Sequence, residues 1–148
     1  AETNSNGDLN VSKFKGRIAG CGGFINITQN TQKVVFCGTF TAKGLKEEVN
    51  DGKLIILKEG SVFKFLKTIG QITFSGTYAR EHGQEVMYIT ERCVFRLKKE
   101  GLVLTEIAPG INLEKDILEE MEFKPIIADD LKIMDERIFK TELMGLTV

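Results

Sequence analysis

Apolar residues in this chain gather in short runs separated by turn residues, and each run predicts an element. Lys33 to Phe40 holds Val34-Val35-Phe36-Cys37, β-branched and aromatic in character, which predicts a strand buried on both faces. Asn50-Asp51-Gly52 reads as a turn into Lys53-Leu54-Ile55-Ile56-Leu57-Lys58, with Glu59-Gly60 closing a hairpin. Phe63 and Phe65 alternate with Val62, Lys64 and Leu66, and Gln71 to Ser75 reads as another strand. Val86 to Leu97 predicts one strand that turns over Lys98 to Gly101 and returns through Leu102-Val103-Leu104-Thr105.

Helical signals come late. Asn112 is placed to cap a helix with Leu113, Ile117, Leu118 and Met121 on one stripe and Glu114 and Asp116 in its first turn. Phe123-Lys124-Pro125 ends that helix, and Asp129 or Asp130 starts a second one bearing Ile133, Met134, Ile138 and Phe139. Phe24 to Thr28 fits two readings: its Ile-Asn-Ile-Thr alternation favours a strand, whereas a helix opened by a glycine turn would use the same span. The sum is an α/β fold, a mixed twisted sheet with a few helices, in a single domain over residues 1–148 with no repeat or dividing linker.

Composition narrows the function classes. A net charge of −1 argues against a nucleic-acid partner, because phosphate binding draws on an excess of Lys and Arg on one face. The sequence has no apolar run of about 18 residues, so no membrane span is expected. The polar start, Ala1 to Gly7, reads as a turn and not as a signal peptide. Cys21, Cys37 and Cys93 are odd in number and far apart, which suits reduced thiols and a cytoplasmic location. With one histidine, His82, read as exposed in a turn, and no C-x-x-C pair, no metal site is expected. A first residue other than Met suggests a piece of something longer.

The candidate chemistry sits in Gly16-Arg17-Ile18-Ala19-Gly20-Cys21-Gly22-Gly23-Phe24-Ile25-Asn26-Ile27. Each glycine inside an ordinary helix or strand costs roughly 0.5–1 kcal/mol relative to alanine, so a cluster of them marks backbone at positive φ or close to a ligand. Successive glycine peptides can also turn their N–H groups to one side and form a concave anion site, to which a following helix would add its N-terminal charge. The plainer reading is a tight turn that lets a helix pack on the sheet. Lys13, Lys15 and Arg17 alternate, as a phosphate-facing set or, more simply, a solvated strand edge. Glu91 falls by alternation on the face of Met87, Ile89, Cys93, Phe95 and Leu97, where a carboxylate needs a partner or a proton. Two reasons stand side by side for it: a structural hydrogen bond or ion pair, and a place near an active site.

Several motifs together resemble coenzyme A transferases, most of all the single-chain acetate and propionate branch. They are Gly7 to Phe14, Arg17 to Asn30, Val35-Phe36-Cys37-Gly38-Thr39-Phe40-Thr41, Tyr88-Ile89-Thr90-Glu91-Arg92-Cys93-Val94-Phe95, Leu104 to Gly110 and Phe123 to Ile127, in that order and over nearly the whole chain. The resemblance implies the C-terminal portion of an enzyme that moves CoA from an acyl-CoA to a short-chain carboxylate, with the CoA thioester as substrate and no metal or organic cofactor. A glutamate attacks the thioester, and a glutamyl-CoA thioester follows. That nucleophile lies in a Glu-(Ser or Asn)-Gly motif upstream of the glycine loop, which this sequence lacks; Glu59-Gly60 and Glu100-Gly101 are the nearest strings. The chain alone is therefore expected to be inactive. The resemblance further implies that Gly20, Gly22 and Gly23 face the acyl-CoA, that Cys21 and Asn26 lie beside the thioester and pantetheine arm, and that Glu91 stands behind the site. Expected partners are acyl-CoA, a small carboxylate, the missing N-terminal portion and other copies in a homo-oligomer. The rival reading is a non-catalytic module for acyl-CoA binding or subunit association.

Overall fold

The computed structural model describes residues 1–146. Seven strands of five residues or more carry the fold: β1 Lys33–Cys37, β2 Lys46–Asn50, β3 Lys53–Lys58, β4 Glu85–Ile89, β5 Cys93–Lys98, β6 Gly101–Ile107 and β7 Ile126–Ile133. Five of them make one mixed sheet in the order β7-β6-β5-β4-β1. The inner pairs β4–β5 and β5–β6 are antiparallel, while β1 runs parallel to β4 and β7 parallel to β6. Three short helices accompany it: α1 Phe24–Thr28, α2 Gly76–Glu81 and α3 Leu113–Asp116. The expected α/β class with a mixed sheet and few helices is what the chain adopts. Among the described residues no helix is long and apolar enough to cross a membrane.

Register decides which face is the core. Val34 lies opposite Val86, Phe36 opposite Tyr88, Tyr88 opposite Phe95, and Phe95 opposite Leu104. These side chains share one face, and Phe95 and Leu104 are wholly buried there. Aromatic rings from outside the sheet fill the layer above it: Phe74 meets Phe36 edge-on at 5.0 Å, and Phe65 bridges Phe95 and Phe40 at 5.0 and 4.7 Å.

Several expected elements differ. Strand β1 was expected to be buried on both faces, yet it is the sheet edge and Val35 is 53% exposed, because no described element covers its outer face. The expected strand from Val86 to Leu97 is two strands. The Thr90 Oγ1 accepts the peptide N–H groups of Arg92 and Cys93 at 3.3 and 3.1 Å and turns the chain back within three residues. The alternation that put Glu91 in the middle of an apolar face is thereby broken. Gln71 to Ser75 is not a strand: Phe74 makes one isolated bridge to Leu9, and Ser75 caps α2 by accepting the Tyr78 N–H at 3.2 Å.

The turn at Asn50-Asp51-Gly52 joins β2 to β3, with Asp51 and Gly52 both at positive φ as a two-residue hairpin turn of this hand requires. Glu59-Gly60 does not close that hairpin; it leads to Val62–Phe63, which pairs with Thr41–Ala42. Asn112 caps α3 as expected, accepting the Lys115 N–H at 3.0 Å, but the helix stops after four residues and continues as a 3-10 turn over Leu118–Glu120. Ile117 leaves helical geometry at φ −125°, and the Asp116 carbonyl, which would receive the Glu120 N–H in a continuing helix, accepts from Arg92 at 2.8 Å. The second late helix is absent: Ile126–Ile133 pairs with β6, and only a 3-10 turn, Glu136–Phe139, follows. Phe24 to Thr28 resolves as helix.

Gly76 opens α2 under a close constraint, since its N–H donates to Asp8 Oδ1 at 2.9 Å and a Cβ there would lie 2.1 Å from the Asn6 carbonyl oxygen. Gly76→Ala is expected to cost about 2–3 kcal/mol in urea unfolding. Thr77→Ala, on the exposed next position, is expected to stay within about 0.5 kcal/mol; equal effects would contradict this packing.

Candidate functional site

The glycine loop is built from two successive turns. Lys13–Phe14 and Arg17–Ile18 form a two-residue ribbon, closed by Lys15 and Gly16 at φ 48° and 80°. Lys13, Lys15 and Arg17 thus lie on one strand, in the turn and on the other strand, so they do not form the single alternating edge that would aim them together. The peptide nitrogens of Ala19 and Gly20 then donate to the Ser12 carbonyl at 2.8 and 3.3 Å. Gly20 and Gly22 adopt φ of 80° and 51°, where a side chain would be strained. The N–H groups of Gly22 and Gly23 have no acceptor among the described residues. A Cβ on Gly20 or Gly22 would meet no atom within 4 Å, so the loop faces open space and not a closed cavity.

Helix α1 follows at once, with Gly23 at its N-cap and no side-chain cap. Five residues align too few peptides for a sizeable macrodipole, so the loop's donors act as individual N–H groups. Two contacts fix the direction of α1. Its first ring, Phe24, stacks on Phe36 near the carboxyl end of β1 with centroids 5.7 Å apart. At its other end, Gln84 Nε2 donates to the carbonyls of Thr28, Gln29 and Thr31 at 2.9, 3.1 and 2.6 Å, just ahead of β4. Helix α1 therefore runs against β1 and β4 and brings the glycines to the carboxyl ends of the two parallel strands, where open α/β sheets keep their ligand crevices. Cys21 is half-buried in the loop and Asn26 is exposed on α1.

At those carboxyl ends the Gly38 N–H donates to the Ile89 carbonyl at 3.0 Å. A crevice of about 50 Å³ opens beside this link, lined by Cys37, Gly38, Thr39, Lys64, Tyr88 and Thr90 among others. The Lys64 ammonium donates to the Thr39 carbonyl. Burial holds this lysine below its ordinary value, with the Glu91 charge working the other way.

Behind the crevice lies a buried ion cluster that sequence reasoning missed except for Glu91. The Arg92 side chain is wholly inaccessible. Its Nε donates to Glu91 Oε1 at 2.7 Å, Nη1 to Glu59 and to the Asp116 carbonyl, and Nη2 to Glu59 Oε2 at 3.2 Å. Its guanidinium also lies over the Phe40 ring, 4.9 Å from the centroid. Burial opposes the Arg92 charge, yet the hydrogen bonds and charges of the two glutamates outweigh that and hold its value above the ordinary one. Glu91 Oε2 accepts the Phe40 N–H at 2.8 Å, and Glu59 Oε2 accepts from Thr41 Oγ1 at 2.9 Å. Glu59-Gly60 read as a turn in sequence because its partner stands 33 residues away, and no local pattern signals such a pair. Two glutamates face one arginine here, and the excess negative charge reaches further. Burial first, then the charges of Glu91 at Glu47 and Glu59 at Glu120, push both carboxyls above their ordinary value.

Comparison with known proteins gives a consistent result. The chain is 54% identical over 145 residues to the acetate CoA-transferase YdiF of Escherichia coli K12, and 54% identical over 151 residues to the caffeate CoA-transferase of Acetobacterium woodii. These matches take in 98% and 99% of the chain but 27% and 29% of the relatives, so the chain spans less than a third of their length. A crystal structure of the E. coli O157:H7 acyl-CoA transferase YdiF, a thioester complex with CoA, superposes on all of the chain and 29% of that protein with a TM-score of 0.97 at 53% identity. No protein-family model matches the chain.

Arg92→Met leaves Glu59 and Glu91 without their cation and is expected to cost about 3–5 kcal/mol in urea unfolding. Adding Glu59→Gln and Glu91→Gln is expected to recover much of it; a loss below about 1 kcal/mol for the single change would contradict the cluster's role. Because Glu47 and Glu120 bind a proton more tightly folded than unfolded, their contribution to stability is greatest at acid pH and falls as pH rises through the folded-state values. Glu47→Gln and Glu120→Gln are therefore expected to raise Tm at pH 7, with the gain shrinking to nothing below the ordinary carboxylate range; a lowered Tm at pH 7 would refute the sign.

Proposed function

We propose that this chain, which by sequence and fold is part of a coenzyme A transferase, serves in moving CoA between an acyl-CoA and a short-chain carboxylate of the acetate or propionate kind. The observation that carries the proposal is the pair of uncommitted peptide N–H groups of Gly22 and Gly23, brought to the carboxyl ends of β1 and β4 by a helix that packs antiparallel to them. A carboxylate attacking a thioester builds negative charge on the carbonyl oxygen. One preorganised donor at that oxygen contributes about 2.7–4 kcal/mol in comparable acyl-transfer sites.

The nucleophile is a glutamate outside this chain. Glu91 has one oxygen on the Phe40 N–H and the other on Arg92, and Glu59 divides its oxygens between Arg92 and Thr41, so neither is free to attack. In the reaction that follows, the attacking carboxylate forms a mixed anhydride and expels the CoA thiolate. The thiolate then takes the glutamyl carbonyl, giving a glutamyl-CoA thioester and releasing the first carboxylate. An incoming carboxylate reverses the two steps and leaves as a new acyl-CoA. No electron is gained or lost, and the sequence of steps asks for no metal or organic cofactor. Cys21 and Asn26 lie beside the bound thioester and pantetheine arm in this reading, and Glu91 acts behind the site through Phe40. The intact enzyme works in the cytoplasm as a homo-oligomer, and the chain alone does not turn over.

A second reading, a module for subunit association, draws on the apolar surface left open: Ile18 is 77% and Ile27 71% exposed, and Val35 on the outer face of β1 meets solvent as well. An exchange assay separates the two. The chain supplied with the remainder of the enzyme is expected to exchange CoA between acetyl-CoA and propionate. In that enzyme Gly23→Pro removes one donor and is expected to lower kcat on the order of 10²–10³-fold. Association of the two pieces without exchange would replace the transferase reading with the second one.

A further inference from the structure

We propose that the Lys64 ammonium is an anion-holding group of this site and that its ligand is the carboxylate of the acyl acceptor, an assignment that rests on the transferase reading. The position of the side chain is set by its neighbours. Phe65, 4% exposed, is locked between Phe40 and Phe95, and the Lys64 carbonyl accepts the Thr3 N–H at 2.8 Å. The side chain is thereby sent across the carboxyl ends of β1 and β4. There it lies over Gly38, where a Cβ would come within 3.3 Å of Nζ, so any other residue at 38 would crowd the ammonium.

The contacts of Nζ leave its charge without a counter-ion. It donates to the Thr39 carbonyl and reaches Thr39 Oγ1 at 3.5 Å, both neutral acceptors. None of the ion pairs among the described residues includes Lys64. Glu91 acts on it from a distance, but both Glu91 oxygens are taken by Phe40 and Arg92. A surface lysine needs no partner because water solvates it; this one is half-buried, where an unpaired ammonium is costly. The third N–H of the ammonium and the crevice of about 50 Å³ beside it, which Ala1 and Thr3 also line, leave room for a group the size of a carboxylate.

The test uses the 148-residue chain and acetate, with chloride replacing it at constant ionic strength. Amide resonances of Gly38 and Thr39 and the side-chain Cε resonance of Lys64 are expected to shift saturably with acetate and not with chloride. Lys64→Met is expected to weaken that response at least tenfold, and Lys64→Arg to retain it. No saturable shift, an equal response to chloride, or an unchanged response in Lys64→Met would overturn the proposal; should Lys64→Met fail to fold, the wild-type Cε titration decides alone. In the intact enzyme Lys64→Met is expected to raise KM for the carboxylate acceptor tenfold or more and leave KM for the acyl-CoA unchanged, a split that general loosening of the fold would not give. Acetate binding without any CoA exchange would overturn the transferase reading and leave the anion site standing, whereas exchange without acetate shifts would overturn this assignment only.

Discussion

The buried guanidinium of Arg92 ties together segments that the sheet leaves separate. Its hydrogen bonds reach the exit of β3 through Glu59, the β4–β5 turn through Glu91, and α3 through the Asp116 carbonyl. Glu91 passes the link on to the Phe40 N–H, just past the carboxyl end of β1. A buried ion pair is a weak source of net stability, because two desolvated charges lose nearly what they gain from each other. Its worth is in fixing geometry: a carboxylate with both oxygens engaged cannot shift without uncovering a buried charge. The same arginine takes the fourth carbonyl of α3, at the point where that helix breaks.

What this cluster holds in place is the end of the parallel pair. Strands β1 and β4 stop together, joined by the bond from the Gly38 N–H to the Ile89 carbonyl, and the glycine loop arrives beside them on α1. Near this end stand the Gly22 and Gly23 N–H groups, which have no acceptor among the described residues, and the Lys64 ammonium. The site opens outward, and so does the outer face of β1, where Val35 meets solvent. Strands in parallel pairing are normally covered on both faces. The relatives are more than three times as long as the matched segment, which leaves ample chain in such an enzyme for that cover.

Much of this was legible in the residues themselves. The Asn50-Asp51-Gly52 turn, the Asn112 cap and the Leu102 to Thr105 return strand depend on contacts a few residues apart, so local pattern suffices to fix them. The glycine cluster was legible for the same reason, since positive φ is a property of single residues. Ser75, a capping residue directly before Gly76, carried a signal for α2 that the apolar rhythm of Gln71 to Phe74 obscured.

The remainder was decided by partners far away in sequence. Whether Ile126 to Ile133 becomes strand or helix depends on β6 offering a free edge, and whether β1 is covered depends on what packs against Val35. Glu59 looked like a turn residue until Arg92, 33 positions later, gave it a counter-ion. Turns, caps and the class of the fold follow from short-range sterics and hydrogen bonding, which the chain writes residue by residue. Sheet edges, helix lengths and buried charges follow from which surfaces meet, and that is fixed only when the whole chain closes on itself.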